Sequence, residues 1–179
     1  YRVTTNTTVF NGVDEDDVIE MFEMVTEWGV EGVMVSPGYH FETIPNQDLF
    51  ISRKNARKVF KNILDPVRKI RFYNNPLYLD FLRGEQEYQC TAWSNPTYTV
   101  MGWREPCYLL GDRHTQDVND LYEEAIWEKY GVGNDPRCAN CLMHCGFESA
   151  SIFSAMKSPK AAIKLIKEGA VQNSGVGAG

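Results

Sequence analysis

Five cysteines, three of them packed into eight residues, constrain this chain more than anything else in it. Cys138, Cys141 and Cys145 are separated by two and then three residues, and Cys90 and Cys107 lie upstream. Two residues between thiols let both sulfurs turn toward one centre from a tight loop, the pattern of a zinc or iron–sulfur ligand pair. The upstream pair has its own spacing: Cys90, eleven residues, Gly102, four residues, Cys107. That stretch is rich in aromatics and reads as a hairpin with a thiol near each end. Cys90, Cys107, Cys138 and Cys141 would complete a tetrahedral zinc site or a cubane cluster, with Cys145 the substitute for any of them. Spacing does not separate the two metals: zinc only holds a loop, whereas a cluster also moves electrons.

Composition narrows the setting. An odd number of cysteines, three of them clustered, suits a metal in a reducing cytosol better than a disulfide framework. A net charge of −6 argues against nucleic acid as a partner, because neutralising phosphates needs basic clusters. No stretch approaches the roughly 18 apolar residues of a membrane span. The 179 residues suit one domain or one and a half. The chain opens on what reads as the middle of a strand, so it is expected to be a piece of something longer.

In chain order, Thr and Val over residues 2–10 predict a strand closed by Asn11-Gly12. Asp14 caps a helix whose apolar positions are Val18, Met21, Phe22, Val25 and Trp28, with Gly29 as its stop. Residues 30–36 then form a buried strand, giving a βαβ unit and a parallel sheet. Ser52 caps a second helix bearing Ala56, Val59, Phe60, Ile63 and Leu64, and Lys69–Tyr73 reads as a third strand. A short helix over Leu77–Leu82 ends at Gly84. From Glu85 the periodicity vanishes and Tyr, Trp, Thr, Pro and Gly take over. A hairpin near Tyr98–Trp103, a helix from Asp117 to Tyr130 with Leu121, Ala125 and Ile126 on its stripe, and helices over Ser149–Met156 and Pro159–Glu168 complete the expectation. The organisation expected is α/β: residues 1–84 as later βα units of a barrel or open sheet, 85–171 as a Cys-rich, mainly helical α+β extension, and 172–179 as a flexible tail.

Parallel strands carry function at their C-terminal ends, which draws attention to Asn6, Thr7 and Thr8, and to Ser36–His40. Eight aromatics between Tyr73 and Tyr108 would line an apolar pocket or serve as the core of an irregular subdomain, the latter being the plainer reading. His144 is more often a local hydrogen-bonding group than a ligand, Asp14–Asp17 a solvated helix start, and Glu42 and Asp48 loop residues that would contact a cofactor only secondarily.

Several stretches together are similar to the C-terminal part of a radical S-adenosylmethionine enzyme of hopanoid biosynthesis, the adenosyl-hopene transferase family. They are Arg2-Val3-Thr4-Thr5-Asn6-Thr7-Thr8, Val35-Ser36-Pro37-Gly38-Tyr39, Asn75-Pro76-Leu77-Tyr78-Leu79-Asp80-Phe81-Leu82, Pro96-Thr97-Tyr98, Gly102-Trp103 with Pro106-Cys107-Tyr108-Leu109-Leu110, and Cys141-Leu142-Met143-His144-Cys145-Gly146-Phe147-Glu148. The resemblance implies a partial TIM-type barrel carrying its later strands, followed by the family's extension. It implies that Asn6 and Thr8 contact S-adenosylmethionine and that Ser36, Gly38 and Tyr39 border the cofactor or substrate. Cys90, Cys107, Cys138, Cys141 and Cys145 resemble the auxiliary 4Fe-4S arrangement of extended radical enzymes, with zinc the alternative. The implied reaction adds a 5′-deoxyadenosyl radical to hopene (diploptene) and reduces the adduct to adenosylhopane. The implied setting is cytoplasmic, with ferredoxin or flavodoxin as reductant and peripheral membrane contact to reach the apolar polycycle. The three-cysteine motif of the catalytic cluster has gaps of three and then two. Here the order is reversed and no such motif occurs, so this stretch alone is expected to be inactive. The alternatives are a metal-stabilised, non-catalytic binding domain, or another extended radical enzyme acting on a peptide or sugar.

Overall fold

β-Branched residues at successive positions make Thr4–Val9 a strand (β1), and it pairs in parallel with Gly32–Pro37 (β2), Thr4 opposite Gly32 and Val9 opposite Pro37. These positions come from a computed structural model that describes residues 2–40, 44–123 and 127–173. Glu42, Ala125, Ile126 and the tail residues 174–179 lie outside the described residues. Between the strands runs helix α1, Glu15–Glu27. Asp14 caps it by accepting the Asp16 amide at 3.0 Å, and Gly29 leaves it with φ 85°. Helix α2, Arg53–Leu64, starts at Ser52 and buries Ala56, Phe60, Ile63 and Leu64.

The expected third strand is reduced to one parallel bridge, Val33 to Phe72. The Val33 amide donates to Arg71 O and the Tyr73 amide to Val33 O, at 2.9 and 2.8 Å. Pairing stops there because the next amide along β2, that of Val35, is taken at 2.8 Å by the Asn74 side chain. A side-chain acceptor has replaced the next rung of the ladder. The strands nevertheless follow one another in chain order across the sheet. Both helices cover one face, where Val9, Val33 and Val35 meet Phe22 and Phe60. The other face carries Thr4, Asn6 and Thr8, all exposed. Among the described residues the strands close no barrel.

Helix α3, Pro76–Leu82, is buried along its whole length. Proline at its start suits a position whose N–H would find no partner within the helix. Asn75 caps α3 by accepting the Tyr78 amide at 2.9 Å, and its own amide donates to the Glu148 carboxylate at 2.7 Å. Beyond α3 the hairpin forms as expected, from Tyr98–Thr99 (β3) and Gly102–Glu105 (β4), and a third strand, Arg113–Thr115 (β5), joins β4.

The helix expected from Asp117 does not form over residues 117–123: Val118–Tyr122 is a 3₁₀ turn, and Glu123 has an extended ψ of 114°. The Trp127 indole N–H donates to Leu121 O at 2.6 Å, occupying a carbonyl that a continuing helix would have used. The next helix, α4, spans His144–Ala155 and begins five residues before the expected Ser149. Cys145 therefore stands on a helix rather than in the cysteine loop. Helix α5, Pro159–Asn173, is also longer than predicted. Phe147 of α4 stacks on Phe81 of α3, ring centres 4.5 Å apart, so the change of character at residue 84 occurs within one packed core.

Candidate metal centre

Each cysteine is presented by a different local device. Cys90 lies in irregular chain held to the start of α4, where the Thr91 amide and hydroxyl both donate to Gly146 O at 3.1 Å. Cys107 follows β4 and accepts a turn bond at its carbonyl from the Gly111 amide. Cys138 ends a 3₁₀ turn capped by Asp135, and the Cys141 amide folds back onto Cys138 O at 3.0 Å. Cys145 sits in the first turn of α4, whose N-cap, Met143, offers no side-chain acceptor. The five sulfurs line one small cavity of about 30 Å³. Its remaining walls are apolar side chains and glycine, with the Tyr39 ring on the side of β2.

Neighbouring groups favour the charged form of each thiol. The backbone of Ala92 acts in this way on Cys90, that of Leu110 and Leu109 on Cys107, and that of Met143 on Cys141. The Gly131 amide serves Cys138, and the Gly146 amide with the Tyr108 hydroxyl serves Cys145. Such donors favour the thiolate and set the potential of a thiolate-bound cluster. Burial works the other way. It pushes Cys90 and Cys145 up to about 12, and raises Cys107, Cys138 and Cys141. Thiolates in so dry a space need a cation between them, and a metal ion reverses the local balance. The donor set is soft sulfur throughout, which suits zinc, copper(I) or iron–sulfur. Among the described residues no three His, Cys, Asp or Glu side chains draw close enough together to hold a single ion. The thiols ring a common space without closing on one point.

Residues that motif spacing did not single out hold the ring in place. Arg53 donates to Cys141 O at 2.6 Å, its own amide donates to Asn140 Oδ1, and its guanidinium lies over the Phe81 and Phe147 rings at 5.1 and 5.2 Å. Arg137 bridges Asp112 and Asp135 with bonds of 2.7–2.8 Å, tying the loop before Cys138 to the strand region after Cys107. Tyr78, wholly buried, donates to Leu142 O at 2.8 Å. A basic residue next to a cysteine motif was the only trace of this in the sequence. Arg53 had none, because the cysteine-loop groups it holds, Asn140 and Cys141, lie more than 80 residues away.

The residues expected to meet a cofactor separate into two groups. Asn6 and Thr8 share the uncovered face of β1, opposite Met34 and Ser36 in register, and Ser36 is buried. Gly38 lies under the Phe10 ring, 2.6 Å from where a Cβ would sit. Tyr39, by contrast, belongs to the thiol cavity, and burial raises its hydroxyl well above the ordinary range. The aromatics also divide. Tyr78 and Phe81 are core, Tyr98 stands exposed on the hairpin, and Tyr88 and Trp93 line a cavity of about 720 Å³ that shares Cys90, Gly131 and Val132 with the thiol cavity. His144 is half-buried, with its pKa lowered by burial.

No helix among the described residues is long and apolar enough to cross a membrane. No curated protein and no solved structure is similar enough to the chain to count as a match. Residues 33–165 match a family described as a domain of unknown function, DUF3463. With that match running from β2 into α5, over more than half of its length, the chain belongs to this family.

Proposed function

We propose that this chain is the C-terminal part of a radical S-adenosylmethionine enzyme of the adenosyl-hopene transferase type, and that its extension holds an auxiliary 4Fe-4S cluster. The observation that carries the proposal is that all five cysteines line one small, largely apolar cavity. A lone zinc draws four sulfurs to about 2.3 Å from one point. A cubane places each thiolate on a different iron, which suits sulfurs spread around a space. Cys90, Cys107, Cys138 and Cys141 would hold it, with Cys145, hydrogen-bonded by Tyr108, as the fifth thiol. When bound, such a cluster relays single electrons. The protein's own part is to exclude water with Leu109 and Phe147 and to fix the Cys138–Cys141 loop through Arg53.

Strands in chain order with helices on one face, and a polar uncovered face opposite, support a sector of a TIM-type barrel. In that arrangement Asn6 and Thr8 face the interior, where S-adenosylmethionine would lie, and Ser36 and Gly38 border it. Upstream units would supply the catalytic cluster, and the substrate would be the apolar alkene hopene, with ferredoxin or flavodoxin as reductant. Two measurements test this. Anaerobic reconstitution of the chain should yield about four irons and four sulfides with broad absorption near 400 nm; one zinc and a featureless spectrum would make the extension a structural clip instead. A full-length parent given diploptene and S-adenosylmethionine should form an adenosylated C35 product, and its absence would overturn the transferase assignment while leaving the cluster standing.

A further inference from the structure

The cavity of about 720 Å³ beside the thiol ring has a wall rich in aromatic rings. Five rings line it, Tyr88, Trp93, Tyr122, Trp127 and Tyr130, and the ionic side chain among its lining residues is the carboxylate of Glu128. Every ring in this lining is Tyr or Trp, with no Phe among the described lining residues. Those are the two side chains with the strongest attraction for a cation over the ring face. Their polar ends are engaged elsewhere: the Trp127 N–H donates to Leu121 O and the Tyr130 hydroxyl to Asp112. What these two offer an occupant is therefore ring surface. Trp93 is set by stacking on Phe153 at 5.4 Å, 22° from parallel, and meets Tyr122 edge-on at 6.4 Å.

Among the described lining residues there is no Lys, Arg or His, which disfavours phosphates, carboxylates and sulfonates. The cavity's volume falls within the ordinary range of small-molecule sites, about 300–1,000 Å³. We infer that this cavity is a binding site for a bulky organic cation, an apolar or aromatic body carrying a quaternary or protonated nitrogen, held by the Tyr and Trp faces and by Glu128. The preference is reinforced by the chain's net charge of −6, which attracts cations from solution. The site does not depend on the identity of any metal in the thiol cavity.

The test compares three probes of one shape on the intact chain, by calorimetry and by quenching of tryptophan fluorescence. N-methylquinolinium is the cation, 1-methylnaphthalene its neutral counterpart and 1-naphthalenesulfonate the anion. The cation should bind at least about tenfold more tightly than the neutral compound, and the anion should be the weakest of the three. Glu128→Gln, at an exposed position that leaves the fold intact, should cut cation affinity severalfold and leave the neutral probe unchanged. Trp93→Leu should weaken both, with circular dichroism confirming that the chain remains folded. Equal affinity for cation and neutral probe, tighter binding of the anion, no binding of the cation, or a Glu128→Gln chain that binds the cation as before would each overturn the inference.

Discussion

Gly146 offers a way to move one sulfur without touching any cysteine. It lies in the first turn of α4, where alanine is favoured over glycine by about 0.8–1 kcal/mol. The added methyl would overlap the Cys90 sulfur, closer than the 3.0 Å that real Cβ atoms essentially never breach. The next neighbours, Ala92 N and Cα at 3.6 and 3.7 Å, are ordinary contacts. The obstacle is therefore a single Sγ, which swings on one torsion. Overpacking a filled site costs about 1–3 kcal/mol, and the helix returns up to ~1 of that, so Gly146→Ala should lower the metal-free chain's stability by no more than about 2 kcal/mol. The sulfur, however, is turned out of the ring. Iron and sulfide bound after anaerobic reconstitution should fall well below the wild-type amount, and the visible absorption should drop with them. Urea unfolding of Gly146→Ala, Cys90→Ala and the double variant completes the test. With the sulfur gone, alanine at 146 becomes stabilising, so the cycle should show a coupling of about 1–3 kcal/mol. A Gly146→Ala chain with full iron content, an unchanged spectrum and no coupling to Cys90 would refute the placement of that sulfur.

Other perturbations probe the frame around the ring. Asp80, 4 % exposed, holds Arg83 and Lys164 at 2.5 Å each, so Asp80→Asn leaves these cations only their longer contacts to Glu85 and Glu168, at 3.6 and 3.8 Å. A loss of about 1–3 kcal/mol by urea unfolding is expected, and under about 0.5 kcal/mol would show that α5 does not rely on this link. Tyr78→Phe strands the Leu142 carbonyl in the core and should cost about 1–2 kcal/mol, with faster amide exchange in the Cys141–Cys145 segment. Glu148 has its carboxyl raised above the ordinary 4.5 by burial, partly offset by the Asn75 amide. The folded chain then holds a proton that the unfolded chain has released, so this group's contribution to stability falls as pH rises from 4.5 through the folded value. Glu148→Gln should flatten that part of the stability–pH curve, and an unchanged slope would remove Glu148 as its source.

Local chemistry was enough for the parts of this protein that close over short distances. Asp14 and Ser52 announce helices because a cap needs only its own side chain and an amide two or three residues on. The parallel pairing of β1 with β2 follows from a strand–helix–strand pattern. The two cysteine pairs are legible as metal-type motifs because their spacing is a property of the chain alone. The uses of single polar groups across long distances were not legible in that way. The third strand shrinks to a bridge because Asn74 reaches the Val35 amide, and over residues 117–123 a 3₁₀ turn replaces the expected helix, its Leu121 O taken by an indole. That all five sulfurs share one cavity, with Tyr39 beside them, depends on Phe81 meeting Phe147 and on Arg53 reaching Cys141, contacts between segments 66 and 88 residues apart. Spacing proposes which atoms can bind a metal; packing of distant segments brings them to the same place.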